Sequence, residues 1–219
     1  MRMEGSFVLP RKGSISDPLR IAVLISGGGS GLASIIAYEK SGSRFFRTVL
    51  VLADSNEAGG LKHGEMAGVE SLGVPLPDIE SKREQRLYHE KLIQTFLERR
   101  DVEFIALAGY MRILTPGFVA KWNGRLVNIH PSLLPKYPGA HAHRDALADG
   151  AMISGCTVHF VDEGVDTGRI IDQAEVPVLS GDRIEDLQER VKIAEHKLYP
   201  RVIDGLAMNP SSFLGRSGN

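Results

Sequence analysis

Apolar positions along the chain fall into short runs separated by glycine, proline and acidic clusters, and the spacing inside each run predicts an element. Leu19-Arg-Ile-Ala-Val-Leu-Ile25 reads as a strand running into Ser26-Gly-Gly-Gly-Ser-Gly31, and a helix opens at once with Leu32-Ala-Ser-Ile-Ile-Ala37. Arg47 to Ala53 is a second strand that ends at Asp54, followed by a helix over 58–71 and a short extended piece over 74–79. Ser81 and Glu84 are spaced as a capping box for a long helix. Its buried stripe is predicted at Tyr88, Leu92 and Phe96, with His89 and the Arg99-Arg100 pair solvated. Glu103 to Ala108 is a buried strand leading into Gly109-Tyr-Met-Arg-Ile-Leu-Thr-Pro116.

The strand of Leu126, Val127 and Ile129 is stopped by Pro131, Pro135 and Pro138. Met152 to Val161 alternates, with Cys156, Val158 and Phe160 on one face and Thr157 and His159 on the other. Arg169 to Val176 returns as a strand, which predicts an antiparallel pair across Asp162-Glu-Gly-Val-Asp166-Thr-Gly168. Asp182 to Asp204 closes the chain as a helix with Ile184, Leu187, Val191, Ala194 and Leu198 at spacings of three and four. Strands alternating with helices predict an α/β fold: a Rossmann-like, mostly parallel central sheet with flanking helices and an antiparallel C-terminal edge. Residues 1–18 show no period and read as a mobile extension, 19–206 as a single domain, and 207–219 as a loose tail.

Composition narrows the function class. The 219 residues carry 26 Lys and Arg against 27 Asp and Glu, without the basic excess of a nucleic-acid binder, so small molecules are the expected partners. The single cysteine, Cys156, excludes an intrachain disulfide and fits a reducing compartment. No apolar run is long enough for a signal or membrane segment, so a cytoplasmic protein without membrane contact is expected, as a monomer or homodimer.

Candidate chemistry concentrates at three places. Asn128 and His130 lie two apart on a strand, so an amide donor and an imidazole share one face at the strand end, where open α/β sheets keep their ligand crevices. The glycine run lets backbone pass close to a ligand and directs helix-start amides at an anion. It is neither a dinucleotide fingerprint, because Leu32 occupies the third glycine position, nor a Walker loop, because Gly-Lys-Ser/Thr is absent; one phosphate monoester suits it better than a diphosphate. A bare strand-to-helix turn would use the same glycines. Asp54 stands where a dinucleotide enzyme holds a ribose, and it is also an ordinary turn residue. Met111, Ile113 and Leu114 could wall a flat aromatic pocket or pack in a core. His141 and His143 would not share a helix face and have no cysteine or carboxylate at ligand spacing, so no metal is expected. His159 reads as a satisfied strand histidine or a support to a neighbouring site. Acyl-enzyme chemistry is disfavoured, since Cys156 lies mid-strand and Ser132 lacks a nucleophile elbow.

The order strand-SGGGSG-helix, GYMRILTP, NIHPSLLPKYPGAHAHR and DEGVDTGRI, covering residues 20 to 205, resembles the phosphoribosylglycinamide formyltransferases of the folate-dependent formyl-transfer superfamily. The resemblance implies transfer of the formyl group of 10-formyltetrahydrofolate, the co-substrate, to the amine of phosphoribosylglycinamide. It implies catalytic Asn128, His130 and Asp166, with Asp166 raising the histidine pKa and relaying protons. Phosphoribosylglycinamide would be held by Gly28, Gly29, Ser30, Gly31 and Glu195, and folate by Arg83, Met111, Arg112, Ile113, Leu114 and Asn128. His141 matches a family histidine near the active site. Family members commonly carry Asn at the position of Gly31, so a side-chain contact there is lost while backbone contacts remain. The related methionyl-tRNA formyltransferases and formyltetrahydrofolate hydrolases carry further domains for which the chain is expected to lack room.

Overall fold

Seven strands form one sheet in the computed structural model, which describes residues 6–213. In chain order the elements are β1 (Leu19–Ile25), α1 (Ser30–Lys40), β2 (Phe46–Ala53), α2 (Leu61–Met66), β3 (Glu70–Gly73), α3 (Lys82–Arg99), β4 (Phe104–Leu107), α4 (Pro116–Lys121), β5 (Leu126–His130), α5 (Ala142–Ala148), β6 (Ile153–Phe160), β7 (Ile170–Pro177) and α6 (Ile184–Met208), followed by a 3₁₀ turn, Pro210–Phe213. The sheet order is β3-β2-β1-β4-β5-β6-β7, parallel from β3 to β5 and antiparallel for β6 and β7. The predicted mostly parallel sheet with an antiparallel edge is therefore observed.

Period two explains why β1 is apolar at almost every position. Ile21, Val23 and Ile25 face a core built with Leu32 and Ile35 of α1 and Leu187, Val191 and Val202 of α6. Ala22 and Leu24 face a second core with Ile93 and Leu97 of α3 and with Trp122. Both faces are covered, as a parallel sheet requires. Strand order reverses between β1 and β4, so the loops leaving their carboxyl ends diverge and open a crevice at that point. The Tyr199 hydroxyl lies 2.9 Å from the Leu107 carbonyl and 3.2 Å from that of Val127, fixing α6 under the ends of β4 and β5.

Several expectations are corrected. The helix of 58–71 shrinks to Leu61–Met66 and β3 begins at Glu70, earlier than the extended piece expected at 74–79, because Gly64 must pass close to Val51 and Ser71. Ser81 does cap α3, accepting from the Glu84 N–H, but the buried face falls on His89, Ile93 and Leu97. The phase is shifted by one residue: Tyr88 is exposed, while His89 is buried with Nε2 2.8 Å from the Val74 carbonyl. Residues 6–18 are not loose. The Val8 and Gly13 amides donate to the Asn123 and Ala207 carbonyls, and Arg11 pairs with Glu103 at 2.5 Å. These partners are remote in sequence, so no local pattern announces them. Ala207 and Met208 complete α6 and Ala207 is buried, so the tail starts later than expected; residues 1–5 and 214–219 lie outside the described residues. Among the described residues no helix is long and apolar enough to cross a membrane.

Candidate active site at the strand switch point

The turn after β1 forms the first wall. Gly29 adopts φ 69° as it caps α1, and a Cβ there would lie 2.7 Å from the Gly60 Cα. Glycine meets both demands at little cost. The Gly60 N–H donates to the Gly27 carbonyl at 3.0 Å, so the segment entering α2 backs the turn. A cavity of about 550 Å³ opens over it, lined by Gly28, Gly29, Ser30 and Gly31 and, across from them, by Gln188, Lys192, Glu195, His196 and Tyr199. Those five positions recur at spacings that share one face of α6. Burial pushes the Glu195 carboxyl up to about 7, with only the Lys192 charge pulling it down.

The second wall is the chain leaving β4. Met111 and Ile113 are large, apolar and exposed, and with Arg112 and Leu114 they line a slot of about 290 Å³. The loop is fixed at three points. The Met111 N–H donates to Ser26 Oγ at 2.8 Å, the Thr115 N–H to Glu90 Oε1 at 2.6 Å, and the Arg112 guanidinium to buried Asp54 at 2.6 Å. Asp54 is thereby engaged by Arg112, which removes the feature that favoured a ribose. Arg83, expected near the folate, is exposed at the second position of α3 and lines neither cavity.

The end of β5 joins the two. Gly109, Met111, Ile129 and Pro131 line both cavities, while Asn128 and His130 line the slot. His130 is 4% exposed, with Nε2 2.9 Å from the Tyr137 carbonyl and Nδ1 3.2 Å from Asp166 Oδ2. A carbonyl only accepts, so Nε2 donates, and Nδ1 is the nitrogen left to exchange a proton. Burial holds the His130 pKa below its ordinary value, although the Tyr137 carbonyl and Asp166 both pull it up. The expectation of a net rise is corrected: Asp166 acts in the expected direction and desolvation is larger.

Asp166 reaches the site through the loop between β6 and β7, where it takes φ 55°. Thr167 Oγ1 and the Gly164 N–H both donate to Asp162, and a Cβ on Gly168 would collide with the Phe160 carbonyl, so the loop is folded on itself. Burial opposes ionisation of Asp166. The hydrogen bond with His159, that from the Gly139 N–H at 2.8 Å, and the charge of His130 outweigh it and bring the carboxyl down to about 2.

His159 belongs to this group, which the sequence left open. Its Nδ1 donates to the Phe160 carbonyl, and its Nε2 lies 3.3 Å from Asn128 Nδ2 and 3.5 Å from Asp166 Oδ1. In the neutral ring Nε2 accepts one Asn128 N–H and leaves the other for the slot; in the protonated ring Nε2 donates to Asp166 instead. Lys192, His196, Gln188 and His143 were also missed; for the α6 residues the signal was a polar stripe at helical spacing. His141, expected near the site, is exposed at the cap of α5, and His143 is the one that lines the larger cavity. Among the described residues no group of three or more His, Cys, Asp or Glu is placed to hold a metal. The Cys156 thiol is buried and pushed up to about 12, which makes it a poor nucleophile.

The chain matches the formyl transferase family over residues 19–203. It is 41% identical over 191 residues to phosphoribosylglycinamide formyltransferase of Escherichia coli (strain K12), covering 86% of this chain and 87% of that protein. It is 48% identical over 190 residues to the trifunctional purine biosynthetic protein adenosine-3 of Drosophila pseudoobscura pseudoobscura, which is 86% of this chain but 14% of that longer protein. The crystal structure of glycinamide ribonucleotide transformylase 1 from Symbiobacterium toebii is similar with a TM-score of 0.82 at 40% identity, covering 87% of this chain and 88% of that one. With a match of this extent built around the crevice just described, the chain belongs to the formyl transferase family.

Proposed function

We propose that the protein transfers the formyl group of 10-formyltetrahydrofolate to the amine of 5-phosphoribosylglycinamide. The observation that carries this reading is the meeting of a glycine-walled cavity and an apolar slot at Ile129 and Pro131, with Asn128 and His130 lining the slot beside that junction. Gly28, Gly29, Ser30 and Gly31 present backbone to a phosphate at the start of α1, with Lys192 supplying a cation opposite and His196 a hydrogen-bonding ring whose charged form burial and Lys192 disfavour. Glu195 accepts from sugar hydroxyls. Met111 to Leu114 offer apolar surface and backbone to the flat ring of the folate. The slot fits that co-substrate through its exposed Met111 and Ile113, which are otherwise costly to leave in water.

The residues then divide the reaction. As the amine attacks, the formyl oxygen gains negative charge, which the free Asn128 N–H stabilises together with His130 Nδ1 in its protonated form, a form that burial opposes and Asp166 favours. The attacking nitrogen loses one proton and the leaving nitrogen gains one, so the transfer needs a shuttle and no net proton. Asp166, ionised at neutral pH, takes the first proton and delivers the second while keeping His130 oriented.

Mixing the purified protein with both substrates and following deformylated folate tests the reading. Release that requires both substrates supports it. Release with a different amine only would keep the chemistry and change the acceptor, and binding of NAD without folate would overturn it.

A further inference from the structure

One short segment holds both members of the His130–Asp166 pair. The Tyr137 carbonyl accepts from His130 Nε2 at 2.9 Å, and in the same turn the Gly139 N–H donates to Asp166 Oδ2 at 2.8 Å. Ser132 pins the segment: its fully buried hydroxyl donates to the Lys136 carbonyl at 2.6 Å and lies 3.2 Å from that of Tyr137. The turn needs left-handed backbone at Gly139, with φ 86°, and at Tyr137, with φ 55°. Glycine adopts that region freely, whereas a tyrosine there is strained because its Cβ crowds the backbone. The side chain offsets that strain. Its ring packs against the main core, and its hydroxyl donates to Asp149 Oδ2 at 2.5 Å at the end of α5. Tyr137 lines neither cavity, so it touches no guest of either.

We propose that Tyr137 is a positioning residue for the transfer: its left-handed backbone aims its own carbonyl at His130 and the Gly139 N–H at Asp166, and so keeps imidazole and carboxylate in register. This inference rests on the proposed formyl transfer and adds a residue to it. With Nε2 held by the carbonyl, Nδ1 is the nitrogen that faces Asp166, and the same carbonyl favours the charged ring. A backbone that relaxed to the right-handed or extended region would swing the carbonyl away. His130 Nε2 would then lose its acceptor, and nothing would fix the tautomer.

The test compares Tyr137→Val and Tyr137→Gly in the full chain, with Tyr137→Phe as the conservative variant. Val and Gly both lose the ring, so both lower the melting temperature; they differ in that a β-branched side chain resists positive φ and glycine accepts it. In Val, kcat is expected to fall about 10- to 100-fold, the cost of a misplaced reacting group, while Gly and Phe stay within about threefold of wild type. KM for each substrate stays within about twofold of wild type throughout. Nitrogen NMR of His130 in the ligand-free protein is expected to show mixed tautomers in Val and a ring that titrates at lower pH than in wild type, since the Tyr137 carbonyl no longer supports its charge. The other groups that face the ring, Asp166, His159 and His143, are present in every variant. Wild-type turnover and titration in Val, or equal losses of kcat in Val and Gly, overturn the proposal. If Val does not fold, Tyr137→Ala against Tyr137→Gly makes the same comparison through a single methyl. A wild-type protein that transfers no formyl group defeats the reading of the reaction instead, and the NMR comparison then decides whether Tyr137 holds the pair.

Discussion

His130 Nδ1 and Asp166 Oδ2 are 3.2 Å apart although 36 residues separate them in the chain, and both side chains are shielded from solvent. One comes from the end of β5 and the other from the loop beyond β6, so their contact depends on the antiparallel return of the C-terminal strands. The carboxylate and the imidazole are each pulled by the other towards the charged form, and burial opposes both.

His130→Ala and Asp166→Asn are expected to lower kcat by about 10² to 10⁴, the range of a lost proton shuttle. Circular dichroism should show the fold retained. Near-normal turnover in either variant would remove that residue from the mechanism.

Asn128→Ala should cost about 10² to 10³ in kcat with little change in either KM, because its free N–H meets charge that develops only during the reaction. An effect confined to KM would make Asn128 a binding group.

Asp166 also links stability to acid. Its folded value of about 2 lies below the ordinary 3.8, so its contribution is present above pH 3.8 and is lost as pH falls towards 2. Asp166→Asn should lower stability at pH 7 by about 2 kcal/mol and flatten the acid limb between pH 4 and 2. Urea titrations at pH 7 and pH 2 measure both; an unchanged acid limb would count against the assignment.

Glu195 has the opposite sign. With its folded value pushed up to about 7 from 4.5, the unfolded chain ionises first, so stability falls as pH rises from 4.5 to 7 and stays low above that. Glu195→Gln should therefore stabilise the ligand-free protein at pH 8 by about 3 kcal/mol and have little effect at pH 4.5, while raising acceptor KM. Melting curves at the two pH values decide it. Equal shifts at both would place the effect in packing.

Gly31→Asn should fold normally, since a Cβ there meets only the Ala108 methyl at 3.4 Å. If the added amide reaches the acceptor, its KM falls; a lower melting temperature would show that Ala108 cannot yield.

Much of this was legible in the chain. Asn128 and His130 are two apart, and period two alone puts them on one face. The glycine turn between β1 and α1 was readable because glycine has few reasons to recur so densely. Long-range partners were not readable. Asp54 could be read as a ribose acid or a turn residue, and nothing local points to its pairing with distant Arg112; His89 reads as solvated because the α3 stripe is phased one residue early in the sequence reading. His159 gave no local sign of meeting Asp166, since that contact depends on how the following loop folds. The α6 residues were individually ordinary, and only their common spacing marked Gln188, Lys192 and His196 as a face.

Ile129, Pro131, Met111 and Gly109 line both compartments, which meet along this shared edge. A molecule lodged in one compartment becomes part of the boundary of the other, so each guest finishes the surface its counterpart rests on. Occupancy should therefore be mutually reinforcing, with the paired state held more firmly than the two single affinities would suggest.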